Sequence, residues 1–237
     1  DTLALFITVA RVHELDPQAV VYIASDQAAP VIGTIPGANV ITTTYPRGGN
    51  LRGSQCVIGM LQTMEAILQH HGGRHIVKLD ADTYLNSLEW LHPDTYREEC
   101  KGNQPDFVAM ERAEAFTVSG DCYRVSIYGI RAALRHIRHR VQNATRYQKP
   151  EDLPEDVTIS NAILRERLPV HTVPFFHGLH RGLNFNMPTG EHRRAAVIHC
   201  GEPLANGARA PREMVYLRLQ AMWQFTHPAG TPIPAPR

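Results

Sequence analysis

Residues 75–86 read His75-Ile76-Val77-Lys78-Leu79-Asp80-Ala81-Asp82-Thr83-Tyr84-Leu85-Asn86. The run from His75 to Leu79 is short, largely apolar and rich in β-branched residues, which predicts a buried strand. The carboxylates of Asp80 and Asp82 follow it directly. Ligands bind at the carboxyl ends of strands in open α/β sheets, and a buried carboxylate needs a neutralising partner. The stretch therefore predicts either a site for Mg²⁺ or Mn²⁺, which prefer oxygen ligands, or an acidic strand end paired with Lys78 or an arginine.

Outward from this stretch, apolar runs and helical periodicities alternate along the chain. The periodic segments predict helices at residues 54–70, 128–141, 157–167 and 212–225. The apolar runs predict strands at residues 3–10, 19–24, 39–44, 75–79, 107–110, 117–122, 170–175 and 196–199. This order predicts an α/β fold with a mixed, largely parallel sheet flanked by helices.

Charge and hydropathy exclude several classes of protein. The 237 residues contain 24 Lys and Arg against 23 Asp and Glu, a formal net charge of +1. We therefore expect no binding to nucleic acid through phosphate contacts. No apolar run reaches the roughly 18 residues that a membrane span needs, so we expect no transmembrane segment and a cytoplasmic protein. The chain begins at Asp1 rather than Met, which leaves a removed signal or anchor as the alternative.

The four cysteines, Cys56, Cys100, Cys122 and Cys200, form no C-x-x-C pair. This spacing argues against a zinc ribbon and against a thioredoxin-type redox site. We expect ordinary thiols. The alternative is a bridge between Cys100 and Cys122, which would indicate an oxidising compartment.

Two later motifs carry residues suited to chemistry. Glu155-Asp156-Val157 closes a Pro-rich acidic loop and opens a predicted helix, where an acidic residue is also a good helix cap. Ile198-His199-Cys200-Gly201 places a histidine at the end of a short strand, as a metal ligand or as a structural residue.

In this order the motifs resemble those of glycosyltransferases of the GT-A fold, most closely the inverting group related to β-1,3-glycosyltransferases and Fringe. The strand motif of that group, K-x-D-D-D-x-x-x-N, is matched by residues 78–86 with Ala81 in place of the middle Asp. Its E-D-V motif is matched by residues 155–157, and its N-L segment by Asn50-Leu51. Ser119-Gly120 and Tyr128-Gly129 resemble the elements between these motifs.

The sequence departs from that pattern at two places. The basic residue of the N-L-x-x-K segment falls at Ser54, so Arg52 or Arg47 would have to supply its charge. Retaining GT-A enzymes also carry a D-x-D motif and a late metal-binding histidine. The Lys-Pro-Trp element that follows this histidine in one retaining group is absent after His199.

The resemblance implies a metal-dependent glycosyltransferase, transferring a hexosyl or N-acetylhexosaminyl group from a nucleotide diphosphate sugar. The donor would be UDP-linked, the acceptor a hydroxyl of a carbohydrate or glycoconjugate, and the outcome inversion. Mn²⁺ or Mg²⁺ would be held by Asp82, His199 and Asp80, and Asp156 would be the general base. The alternatives are a retaining GT-A transferase, in which Asp156 is a helix cap, and a non-catalytic nucleotide-binding homologue.

The resemblance also implies a layout of the donor site. It divides the chain into a nucleotide-sugar-binding half at 1–90 and an acceptor half at 91–225. The chain has no internal repeat and no evident linker, so residues 1–225 are predicted to form a single domain, and the Pro and Gly content of 226–237 predicts a flexible tail. The loop at 177–186 would either close over the donor or lie on the surface. The residues expected to contact the nucleotide sugar are Val9, Arg11, Ser25, Asp26, Arg47, Asn50, Arg52, Lys78, Asp80 and Ala81.

Overall fold

The computed structural model describes residues 2–45, 53–91, 105–112, 117–143, 153–172, 188–201, 204, 206 and 208–236. Its helices are α1 (Thr2–Leu15), α2 (Ser54–His71), α3 (Ile127–Gln142), α4 (Glu155–Glu166), α5 (Gly190–Arg194) and α6 (Arg212–Thr226), with a 3-10 turn at Glu89–Leu91. Its strands are β1 (Val21–Asp26), β2 (Ala38–Thr43), β3 (His75–Leu79), β4 (Thr83–Leu85), β5 (Phe107–Arg112), β6 (Thr117–Ser126), β7 (Val170–Thr172) and β8 (Val197–His199).

The predicted α/β class is confirmed, with strands paired in both directions. β1 pairs parallel with β2, and β5 pairs parallel with β7. β6 pairs antiparallel with both β3 and β5, and β4 pairs antiparallel with β8. The four-stranded sheet β3-β6-β5-β7 is therefore mixed, whereas the two-stranded sheets β1-β2 and β4-β8 are parallel and antiparallel, respectively.

The first element is a helix, so the strand predicted at residues 3–10 is wrong. α1 contacts two separate clusters of apolar side chains: Ala4 and Ile7 belong to one, Phe6 and Val9 to the other. A helix that is buried on more than one side is apolar all round, and its periodicity then resembles that of a buried strand. Its length of 14 residues exceeds that of an ordinary buried strand and was the better signal.

The described chain divides into two compact units that interleave along the sequence. The first contains Asp1–Thr43, Asp80–Trp90 and Pro174–Arg237, and the second contains Thr44–Leu79 and Leu91–Val173.

The second unit is built on the sheet β3-β6-β5-β7, with α2, α3 and α4 sharing its apolar core. Tyr123 and Val125 of β6 belong to that core, so the odd-numbered face of this strand lies under the helices. Lys78 of β3 is the antiparallel partner of Tyr123. Because directly paired residues point to the same face of a sheet, the Lys78 side chain lies on this covered face.

Local signals explain where the helices of the second unit begin and end. The Ser126 hydroxyl accepts a hydrogen bond from the Gly129 amide at 2.9 Å, which caps α3. α2 ends at Gly72, whose φ of 65° is the left-handed conformation that glycine adopts without steric cost.

The first unit contains α1, β1, β2, β4, β8, α5 and α6. Tyr84 of β4, Ile198 of β8 and Leu219 of α6 are buried in its larger apolar cluster. After α6, the His227 ring stacks on Trp223 at 4.0 Å, and Ile233 packs against the same cluster. These contacts lie within the segment predicted as a flexible tail, whose mobility stays a prediction.

Candidate functional site

The two carboxylates of the D-x-D stretch flank a tight turn between β3 and β4. The Thr83 amide donates to the Asp80 carbonyl at 3.1 Å, and β4 begins at Thr83. The Thr8 hydroxyl of α1 donates to the Ala81 carbonyl at 3.0 Å, which fixes the middle of the turn. Backbone contacts therefore hold both Asp80 and Asp82 in place.

The pairing of β4 with β8 brings Asp82 to His199. Thr83 lies opposite His199, and the Cys200 amide donates to the Asp82 carbonyl at 2.7 Å. The Asp82 Oδ2 and His199 Nε2 atoms are 3.4 Å apart, and the two side chains are 33% and 17% exposed. Two groups predicted separately as metal ligands are thus adjacent in space and open to solvent.

Gly201 is the close neighbour of this pair. A Cβ at this position would lie 2.1 Å from Asp82 Oδ2 and 2.8 Å from His199 Nε2, distances that real Cβ atoms essentially never show. Any other residue would displace the carboxylate or the imidazole. The missing side chain at residue 201 therefore makes room for this arrangement.

Cys200 and Arg218 support the pair from the protein interior. Arg218 is 3% exposed and donates to the Cys200 carbonyl at 3.0 Å, which fixes the backbone between His199 and Gly201. Burial raises the pKa of the Cys200 thiol, and the Asp82 carboxylate raises it further while Arg218 opposes the shift. Cys200 is therefore a buried thiol that is neutral at ordinary pH.

The Asp82–His199 pair fits a divalent cation that shares its coordination shell with a ligand. Two donors on one octahedral ion with bonds of about 2.1 Å lie about 3.0 Å apart, so a small adjustment from 3.4 Å suffices. Within the described ranges, no group of three His, Cys, Asp or Glu side chains is arranged to hold an ion, and Asp80 is thus not placed as a third ligand. Mg²⁺-type ions commonly take one or two protein carboxylates and complete their shell with phosphate and water.

The second unit holds the other acidic motif, at the start of α4. Glu155 is 4% exposed, and its carboxylate accepts from the Tyr123 hydroxyl at 2.9 Å. Lys78 Nζ lies 3.3 Å from Glu155 Oε2 and also donates to the Gly120 carbonyl. Lys78, predicted as a nucleotide contact, thus forms a buried ion pair.

Asp156 follows Glu155 in the first turn of α4 and is partly exposed. Its Oδ1 accepts from the Val157 amide at 2.8 Å, and its carbonyl accepts from the Ser160 hydroxyl at 2.6 Å. A Cβ built on Gly120 would lie 3.5 Å from the Asp156 Cβ, so β6 packs closely against this residue. The α4 N-cap, Pro154, has no side-chain hydrogen bond.

Of the residues in the first unit that were predicted to contact the nucleotide, two lie at the end of a strand and two lie within a helix. Ser25 and Asp26 lie at the carboxyl end of β1, as expected, and each accepts a hydrogen bond from a backbone amide of the following turn. Val9 is buried at 3% exposure in α1. Arg11, also in α1, donates to the Leu85 carbonyl at 2.7 Å, so both have structural contacts rather than the strand-end positions predicted for them.

Asn86, the last residue of the strand motif, also has a structural role. Its Nδ2 donates to the carbonyls of His192 and Ala195 at 2.5 and 2.7 Å, which ties the end of β4 to the segment before β8. The remaining predicted positions lie outside the described residues: Arg47, Asn50, Leu51, Arg52, Cys100 and the loop at 177–186.

Three contributors were not predicted from the sequence: Gly201, Arg218 and the partner role of Glu155. A glycine directly after a strand-end histidine was a usable signal for close packing. A lysine in an apolar strand was a usable signal for a buried carboxylate, because an unpaired ammonium is costly in the interior. Arg218 gave no such signal, since arginines on helices are usually exposed.

The chain was compared with family models, curated proteins and solved structures. No protein-family model matches the chain, and no curated protein matches it. A glycosyltransferase involved in the glycosylation of the major capsid of PBCV-1, known from its crystal structure, is 14% identical to it, with 93% of each chain covered and a TM-score of 0.48. In the described part of the chain, no helix has both the length and the hydropathy needed to cross a bilayer.

Proposed function

We propose that the protein is a glycosyltransferase that binds a nucleotide diphosphate sugar through a divalent cation. The observation that carries this proposal is the Asp82–His199 pair, 3.4 Å apart, partly exposed and packed against Gly201. The resemblance of its motifs to the GT-A enzymes supplies the chemistry. A bound Mn²⁺ or Mg²⁺ would neutralise negative charge that develops on the diphosphate leaving group.

The protein's own residues have separate tasks in this proposal. Asp82 and His199 would hold the cation, and Gly201 and Arg218 keep them in place. Asp156 would accept the proton of the acceptor hydroxyl as that hydroxyl attacks the anomeric carbon from the face opposite the diphosphate, whose bond to that carbon breaks, so the anomeric configuration is inverted. A UDP-linked hexose or N-acetylhexosamine is the proposed donor, and a carbohydrate hydroxyl the proposed acceptor.

The experiment is a screen of UDP- and GDP-sugars for Mn²⁺-dependent transfer or hydrolysis, followed by two variants. Asp82→Asn should abolish Mn²⁺-dependent UDP binding measured by calorimetry. Asp156→Asn should keep that binding and lower kcat by about 10²–10⁴, the usual contribution of a general base. Asp16→Asn is the control, because the Asp16 side chain accepts from the Gln18 amide in a local turn and an asparagine preserves that acceptor. Normal transfer by Asp156→Asn would refute its assignment as base.

A retaining transferase is the second candidate, favoured by the position of Asp156 in the first turn of α4. Its Oδ1 already accepts from the Val157 amide, as a residue with a purely structural role would. The anomeric configuration of the product, read by NMR before mutarotation, separates the two mechanisms. Mn²⁺-dependent UDP binding with no turnover of any donor would instead identify a nucleotide-binding homologue.

A further inference from the structure

We propose that Lys78 and Glu155 form a buried anchor that positions Asp156, so that Lys78 is a positioning residue and not a ligand of the donor phosphates. This inference rests on the proposed function, because it needs Asp156 to act on the acceptor. It assigns Lys78 a different role from the one its place in the strand motif suggests.

Burial is the first argument. The side chains of Lys78 and Glu155 are 8% and 5% exposed, and Nζ lies 3.3 Å from Oε2. A lysine that binds a phosphate needs its ammonium accessible to the ligand, because the ion pair with the phosphate forms only when the ligand arrives. Here the ammonium is already neutralised inside the protein.

The hydrogen bonds around the pair provide the second argument. The Lys78 ammonium bonds the Gly120 carbonyl of β6 as well as Glu155, and it lies 5.9 Å from the centre of the Tyr123 ring. The Tyr123 hydroxyl donates to the other Glu155 oxygen at 2.9 Å. Both Glu155 oxygens are therefore held, one from β3 and one from β6.

The third argument is the position of Asp156 within this arrangement. Asp156 follows Glu155 in the chain, and Gly120 is so close to it that an added Cβ would be in van der Waals contact with the Asp156 Cβ at 3.5 Å. The ammonium thus holds the residue before Asp156 and the strand carbonyl beside it. The α4 N-cap, Pro154, has no side-chain hydrogen bond, and the anchor fixes Glu155 beside the local bonds that Asp156 makes with the Val157 amide and the Ser160 hydroxyl.

The test uses the double variant Lys78→Met/Glu155→Met, since removing one charge alone would leave the other buried without its partner. Methionine matches the length of glutamate, is one heavy atom shorter than lysine, and removes the ion pair and the bond to Tyr123. The control is Arg131→Met/Glu65→Met, which removes an ion pair of 2.7 Å in the same unit whose side chains are 45% and 23% exposed.

Three quantities are measured for both double variants: kcat with the donor found in the screen, the Kd of UDP with Mn²⁺, and hydrogen exchange of the amides at 155–158. For the anchor variant we expect kcat to fall at least about tenfold, as misplacement of a catalytic group does. We expect the Kd of UDP to stay within about twofold of the wild-type value, because the anchor does not act on ground-state binding. Hydrogen exchange at the start of α4 should increase. The control variant should match the wild type in all three.

Two results would overturn the anchor. Unchanged kcat with unchanged exchange would show that the pair does not position Asp156. A Kd for UDP that rises together with the loss of kcat/KM would show that Lys78 contacts the nucleotide after all. If the wild type turns over no donor, the proposed function fails, and unchanged exchange at 155–158 would then refute the anchor independently.

Discussion

Two pairs, each of one acidic and one basic side chain at nearly equal separation, have opposite environments. Asp82 and His199 are 3.4 Å apart at 33% and 17% exposure, whereas Lys78 and Glu155 are 3.3 Å apart at 8% and 5%. The first pair is backed by a glycine and faces solvent, and the second lies between a sheet and a helix. Solvent access, rather than the distance between the two side chains, therefore decides which pair a ligand can reach and which is committed to the fold.

One short sequence motif contributes a residue to each of the two pairs. Lys78 and Asp82 belong to one short motif, yet they belong to different pairs with different neighbours. A motif read from the sequence groups them as one site. Their burial separates them, because the interior lysine needs a fixed carboxylate and the exposed carboxylate does not need a fixed cation.

The largest expected effect comes from breaking the buried pair on one side only. Lys78→Met leaves the Glu155 carboxylate buried with the Tyr123 hydroxyl, and we expect a loss of about 3–5 kcal/mol in the free energy of unfolding. Urea denaturation followed by circular dichroism measures it. Arg131→Met, at the exposed ion pair with Glu65, should cost about 0–1 kcal/mol. Equal losses in the two variants would show that burial does not distinguish these pairs.

The next effect comes from crowding the exposed pair. The Cβ added by Gly201→Ala would lie 2.1 Å from the present position of Asp82 Oδ2. The carboxylate must therefore move away from His199. We expect Mn²⁺ affinity to fall about 10- to 100-fold, the range seen when groups that orient metal ligands are changed. Calorimetric titration with Mn²⁺ measures it. Gly190→Ala is the control, because an added Cβ there meets nothing within 4 Å. Unchanged affinity in Gly201→Ala would separate the glycine from metal binding.

Much of this fold was predictable from hydropathy patterns, and its first element shows where such patterns fail. The rhythm of Val57, Ile58, Leu61 and Met64 predicted α2, because one face of this helix is apolar and the other polar. α1 contacts two apolar clusters and loses that asymmetry. Its residues were therefore assigned to a strand, and Val9 and Arg11 were assigned to a strand end that does not exist.

The predictable residues of the candidate site are those that their immediate neighbours in the sequence mark out. Asp82 and His199 were each marked by a carboxylate or imidazole at a strand end, and the pairing of β4 with β8 brings them together. The contacts of Lys78 with Glu155 and of Gly201 with Asp82 join residues far apart in the chain. Such contacts depend on tertiary packing, which residue patterns do not encode directly.

Acidification should have a smaller effect, lowering stability through His75 and Mn²⁺ affinity through His199. Burial, assisted by Arg124 and Arg74 and opposed by Asp106, lowers the pKa of His75 at the start of β3 to about 4 from 6.5. Between these values the unfolded chain binds a proton that the folded chain does not, so stability falls as the pH drops from 6.5 to 4. Solvent screening limits the loss to about 1 kcal/mol. His75→Gln should remove this loss in urea denaturation across that window and match the pH slope of the wild type above pH 7.

At the Asp82–His199 pair the same acidification should weaken Mn²⁺ binding, because His199 must be neutral to ligate. His75→Gln should leave that weakening unchanged. A wild-type stability that stays level from pH 6.5 to 4 would contradict the desolvation of His75, and a Mn²⁺ affinity that stays level would remove His199 from the cation site.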